Sequence, residues 1–153
     1  MQKHTLHGLV PLLVCVALIS VWTGCGREPF KMAPVSGKVT YADGSLIPGD
    51  QIVITFHPEN AVVVGNQVAG AARGEVNPKD GTYSLTSHKA DDGAVPGKYK
   101  VSLVATKSVD GVPTVTTAVA AKYQSQSTTP LRFEVTGPTK EANFLTIEKP
   151  AKK

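Results

Sequence analysis

The stretch Gly37–Pro58, GKVTYADGSLIPGDQIVITFHP, limits most strongly what this chain can fold into. Val39 and Tyr41 fall on one side of an extended backbone, and Lys38 and Thr40 on the other. Past a turn rich in Asp, Gly and Pro, Ile52, Ile54 and Phe56 share a face, and Gln51, Val53 and Thr55 share the opposite one. A repeat of two belongs to a strand with one buried face, because successive Cβ atoms of a strand point to opposite sides of its sheet.

The pattern returns along the chain. The first strand is expected over Val35–Tyr41, the turn over Ala42–Asp50 and the second strand over Gln51–Phe56, with Pro58 ending it for want of an N–H donor. The Gly- and Ala-rich stretch Gln67–Val76 reads as one further strand. Thr82–Thr86 follows the turn Pro78–Gly81 and places Tyr83 and Leu85 inward. Lys98–Ala105 alternates most clearly: Tyr99, Val101, Leu103 and Ala105 face in, and Lys98, Lys100 and Ser102 face out. Lys107–Pro113 reads as a loop centred on Asp110-Gly111, and Thr114–Ala121 as an uncharged edge strand. Leu131, Phe133 and Val135 alternate in the penultimate strand, Gly137–Glu141 turns, and Asn143–Ile147 closes the sheet. Outside the first 24 residues no stretch sustains a helical apolar repeat. Seven to eight short strands over ~115 residues, separated by Gly, Pro and Asp turns, predict an all-β domain, a β-sandwich. Greek-key order often sends neighbouring strands to different sheets, so the two strands of the opening stretch need not pair.

Residues 1–24 divide as an export signal does. MQKHTLHG carries Lys3 and no acid, and Leu9–Trp22 is an apolar run of 14 residues. A membrane span needs ~20. Hydrophobicity stops at Thr23-Gly24-Cys25-Gly26. This junction resembles the lipobox of bacterial lipoproteins: Thr23 and Gly24 match its small residues before the cysteine, and Trp22 stands where that family usually places Leu. The resemblance implies cleavage before Cys25, diacylglycerol on the Cys25 sulfur, and two or three palmitate-type acyl chains. That number anchors stably, whereas one chain binds only marginally. Gly26 replaces the Asp that retains many lipoproteins in the inner membrane, which leans towards the outer membrane of a diderm envelope. The expected organisation is a lipoprotein signal peptide (1–24), a tether (25–34), the β-sandwich (35–148) and a basic tail (149–153).

Composition excludes several functions. The chain of 153 residues holds 16 Lys+Arg against 12 Asp+Glu, and the excess is scattered, without the basic and aromatic interleaving of a nucleic-acid surface. Of its two cysteines, Cys15 lies in the leader, so the mature chain has neither a disulfide nor a thiolate cluster for zinc.

Several fragments in order carry a family likeness: Val35–Tyr41 (VSGKVTY), Asp43-Gly44-Ser45, Asp80–Leu85 (DGTYSL), Asp92–Val101 (DGAVPGKYKV), Lys122-Tyr123, Thr129-Pro130-Leu131 and Asn143-Phe144. Together they resemble the small lipoproteins abundant in planctomycete bacteria, whose domain is similar to the carboxypeptidase regulatory-like, or transthyretin-like, sandwich. The likeness covers most of residues 35–148. It implies an exported, non-catalytic module with an all-β, Greek-key β-sandwich fold of transthyretin-like or Ig-like type, and it names no ligand.

No catalytic, cofactor or metal residue is predicted. His57 and His88 have no second ligand at metal spacing. Asp91-Asp92, with Asp80 or Asp110, lack the DxDxDG run of a calcium loop and suit turns. Glu59, Glu75 and Asp80 have nothing to orient them as an acid–base pair. The expected function is therefore an anchored module that contacts the membrane through lipid on Cys25 and binds an envelope protein or a glycan, with no nucleic acid. The alternatives are a self-associating envelope component, with Thr114–Ala121 as its edge, and, more remotely, a hydrolase using loop carboxylates, for which a pocket lined by Glu75, Asp80 and His88 would be needed.

Overall fold

The computed structural model describes residues 29–151, with the backbone alone over 140–144. The chain is mostly β and forms several sheets. In order the strands are β1 (Val35–Tyr41), β2 (Gln51–Pro58), β3 (Val63–Val64), β4 (Gln67–Val68), β5 (Ala72–Glu75), β6 (Thr82–Ser84), β7 (Gly97–Val109), β8 (Val112–Val115), β9 (Arg132–Val135) and β10 (Thr139–Ile147), with a short 3₁₀ turn, η1 (Ala121–Tyr123), between β8 and β9. One sheet runs β10-β1-β6 and the other β5-β2-β7-β8, with β9 also paired to β7; β3 and β4 form a separate hairpin. The two strands of the opening stretch thus lie in different sheets.

One core joins those sheets. Val35, Val39 and Tyr41 of β1 pack in the same buried cluster as Ile52, Ile54 and Phe56 of β2 and Tyr99, Val101, Leu103 and Ala105 of β7. Phe56 sits at its centre, with ring centroids 6.1 Å from Tyr83, 6.0 Å from Tyr99 and 5.2 Å from Phe133. Burying one such side chain contributes about 2–3 kcal/mol. At one side the sheets meet in a corner, where Arg73 and Thr86 exchange N–H···O bonds of 2.9 and 2.7 Å. Gly74 makes this approach possible, since a Cβ there would stand 2.5 Å from the Ser84 carbonyl oxygen. Across the molecule, residues 116–131 leave β8 and return as β9. They bury Val119 and Tyr123 in the core, and the Thr129 hydroxyl donates to the Val101 carbonyl at 2.5 Å.

Several boundaries differ from expectation for identifiable reasons. Lys107–Pro113 is not a loop: β7 continues to Val109, and Asp110 (φ 51°) and Gly111 (φ 80°) make a two-residue turn into β8. Both central residues at positive φ match the twist of a hairpin. The strand expected over Thr114–Ala121 ends at Val115, because Val119 turns into the core. Gln67–Val76 divides into β4 and β5. Pro58 belongs to β2 and lies opposite Tyr99. The turn expected over Gly137–Glu141 gives way at Thr139 to β10, which runs parallel to β1 from Thr139 opposite Val35 to Ile147 opposite Tyr41. Residues 30–34, read as tether, are docked: Phe30 and Ala33 are buried, and Ala33 bridges Ala94.

Candidate functional site

A concavity of about 1150 Å³ opens at the end of the molecule where β1 finishes and β2 begins. Its walls come from three separated stretches: Ser45, Leu46 and Pro48 of the β1–β2 turn, Val115–Ala121 from the last residue of β8 onward, and Lys149–Ala151 after β10. Tyr41 lies at the back, where its hydroxyl donates to the Ala118 carbonyl at 2.6 Å and pins the crossing segment to β1. Burial raises the Tyr41 phenol above its ordinary pKa, opposed by the nearby Lys149 ammonium. Lys149 donates to Asp43 at 2.5 Å, and this bond, with those from Ser45, holds the Asp43 carboxyl well below its ordinary range. Outside the groove Lys122 is paired with Glu148, which raises its pKa. Val109, Val112 and Val115 are exposed on the hairpin next to the opening. The site is thus an open, mainly apolar groove with Lys107 at its edge.

Sequence reading missed this groove because its walls are far apart in the chain. One signal was available: Thr114–Ala121 does not alternate, as a segment that wraps an end rather than joining a sheet would not.

The residues singled out from the sequence do not converge. Cys25 lies outside the described residues. His88 stacks flat on Phe30, with ring centroids 6.0 Å apart. Asp92 accepts bonds from the backbone N–H groups of Ser87, His88 and Lys89 at 2.7–3.0 Å. Burial would raise its carboxyl, but these donors outweigh burial and lower it. Asp80 is held by the N–H and hydroxyl of Thr82 at 2.9 and 2.7 Å, closing the turn before β6. Glu59 pairs with Arg132 at 2.7 Å. Glu75 lines a shallow cavity of about 510 Å³ with Arg73 and Asp91, and neither Asp80 nor His88 reaches it. Among the described residues no three His, Cys, Asp or Glu side chains gather as a metal site.

One pair was not expected. On the outer face of the second sheet, His57 Nε2 lies 2.9 Å from Ser102 Oγ. Ser102 does point outward, yet it is only 6% exposed. Partial burial, with the Arg73 charge, lowers the His57 pKa and favours the neutral imidazole. No carboxylate among the described residues bonds to that ring, so the pair lacks the orienting third member of a nucleophile–base system.

Neither a protein-family model, nor a curated protein, nor a solved structure matches this chain. The groove and the surface around it therefore carry the functional reading by their own chemistry. Every described Tyr side chain is buried, as are Phe30 and Phe56, while Phe133 is half-buried beside the Glu59–Arg132 pair.

Proposed function

We propose that this chain is an exported lipoprotein in which a non-catalytic β-sandwich, anchored by acyl chains on Cys25, holds a protein partner at its distal end. The observation that carries this reading is the separation of two ends. The described chain enters at Phe30, five residues after Cys25, and β1 then runs its length, ~23 Å for seven extended residues, to Tyr41 at the groove. A short anchor at one end leaves the groove and the exposed Val109, Val112 and Val115 turned away from the bilayer. An open apolar groove beside exposed aliphatic side chains suits a polypeptide better than a glycan.

Two features support a Greek-key sandwich of transthyretin-like or Ig-like type. Strands β1 and β2 follow each other in sequence but belong to different sheets. The Tyr99 hydroxyl donates to the Val95 carbonyl at 2.5 Å, four residues upstream, across Val95-Pro96-Gly97. That is the tyrosine corner such sandwiches often carry.

Anchoring is tested by metabolic labelling with a fatty acid in a bacterial host. The wild-type chain should incorporate label and sediment with membranes, and Cys25→Ala should lose both. Unchanged labelling of Cys25→Ala overturns the anchoring reading.

A further inference from the structure

The β3–β4 hairpin puts its apolar side chains where a soluble domain gains nothing from them. Val63, Val64 and Val68 are 58%, 44% and 60% exposed. Val63 lies directly opposite Val68, and Val64 opposite Gln67, so both faces of the tip present valine. The tip itself is tightly built: Gly65 has φ +59° at the first central turn position, and the Ala69 N–H donates to the Val62 carbonyl at 2.9 Å below the strands. The base of this hairpin is where the chain arrives from Cys25. Phe30, Ala69 and Val95 form a second small core of their own, with Met32 and Val62 packed against it. Phe30 follows Cys25 by five residues, which reach at most ~17 Å when extended.

We infer that the β3–β4 hairpin is a membrane-contact element, dipping Val63, Val64 and Val68 into the lipid surface beside the anchor and so fixing which end of the domain faces the bilayer. This inference rests on lipidation of Cys25. The occupant follows from the short link: an acylated Cys25 lies in the bilayer, and five residues cannot carry the Phe30–Val62 contact far from it. Apolar side chains on a rigid turn at that depth trade water for the acyl boundary. Lys31, exposed between the anchor and the hairpin, suits anionic headgroups. The other exposed valine cluster, Val109, Val112 and Val115, lies at the groove end and stays in water.

A single tryptophan placed in either cluster reads this orientation. Trp22, the one tryptophan of the chain, lies in the leader, and the wild-type protein serves as the blank. Full-length Val64→Trp and, separately, Val112→Trp are expressed, purified and reconstituted into phosphatidylethanolamine–phosphatidylglycerol vesicles with and without bromo-acyl lipid. Val68→Trp replaces Val64→Trp if the latter fails to fold by circular dichroism. Intact mass reports the acyl chains on the same samples. The expected result is an acylated protein whose hairpin probe emits further to the blue on vesicles and is quenched several-fold more by bromo-acyl lipid than the Val112→Trp probe. Equal quenching at both positions, or none at the hairpin, in an acylated protein overturns the inference and leaves the anchoring reading standing. Absence of acyl chains overturns the anchoring reading. It overturns the hairpin inference with it, because the short acylated link that places the hairpin at the bilayer is then gone.

Discussion

Gly93 is the residue whose identity the backbone constrains most tightly. It adopts φ +86°, and a Cβ there would stand 1.8 Å from the Ala33 carbonyl oxygen. That oxygen cannot retreat, because Ala33 and Ala94 exchange N–H···O bonds of 2.8 and 3.0 Å. Gly44 has a similar φ of +79° but open space around it. The two glycines therefore separate conformational strain from steric exclusion. Gly44→Ala should cost about 1 kcal/mol, the left-handed penalty alone, whereas Gly93→Ala should cost about 3 kcal/mol or more, as backbone strain and overpacking combine. Denaturant unfolding measures both, and equal losses would show that the Ala33 contact is not the constraint. The turn around Gly93 was legible in Asp92-Gly93, but the reason for it was not, because its partner Ala33 lies some sixty positions upstream in a stretch read as tether. Ser102 shows the same limit: alternation gave its direction correctly, while its burial depends on His57 from a neighbouring strand.

Among the elements, β8 shows how this fold protects an open edge. The Ser108 N–H goes to Asp50 Oδ2 at 2.8 Å, towards β2, so position 108 does not donate to β8. Its partner across the hairpin is Pro113. In such a non-bonded pair the β8 residue turns its nitrogen to the free side, and proline has no hydrogen to offer there. The edge is then cut short when Thr116 donates back to the Ala105 carbonyl at 2.9 Å and the chain departs. An uncharged edge prone to association, as the sequence suggests, is thus blunted at one of its two outward positions, the other being Val115 at the strand's end. Pro113→Val restores the missing donor and adds β-propensity, so the variant should shift to larger species in sedimentation velocity at concentrations where the wild-type chain does not. Identical distributions would mean the proline does not guard the edge. The legibility of elements follows burial. Val35–Tyr41 reads correctly to the residue because one face meets the core. Ser108, Val109, Val112 and Pro113 are all exposed, so this hairpin has no buried face to imprint an alternation, and only its Asp-Gly turn shows. The β3–β4 hairpin escapes for the same reason.

At the scale of the molecule, the decisive contact is the one no local pattern announces, the parallel pairing of the first strand with the last. β1 has β10 on one side and the short β6 on the other, and β10 covers it from Val35 to Tyr41. Parallel partners cannot be joined by a tight turn, and here nearly the whole domain serves as the connection. The same union ties down the groove: the Tyr123 hydroxyl accepts from the Glu148 N–H at 3.3 Å, and Lys149 reaches Asp43. Folding must therefore bring together chain ends about a hundred residues apart, which places it among slow, non-local β topologies and makes the native state all-or-none. A chain stopped at Gly137 should lose its cooperative thermal transition, because Val39 and Tyr41 would be left uncovered and the wall of the groove detached. A chain stopped at Ala151, lacking only Lys152 and Lys153, should melt as the full-length protein does. A cooperative transition at an unchanged midpoint for the Gly137 stop would show that β10 is an accessory strand. The outcome bears on function as well as stability. If β10 locks β1, the end where Phe30 docks is fixed with respect to the groove, as the proposed anchoring requires for a single orientation at the bilayer. If β10 is dispensable, the Lys149–Ala151 wall can detach, and the groove cannot be a preformed site.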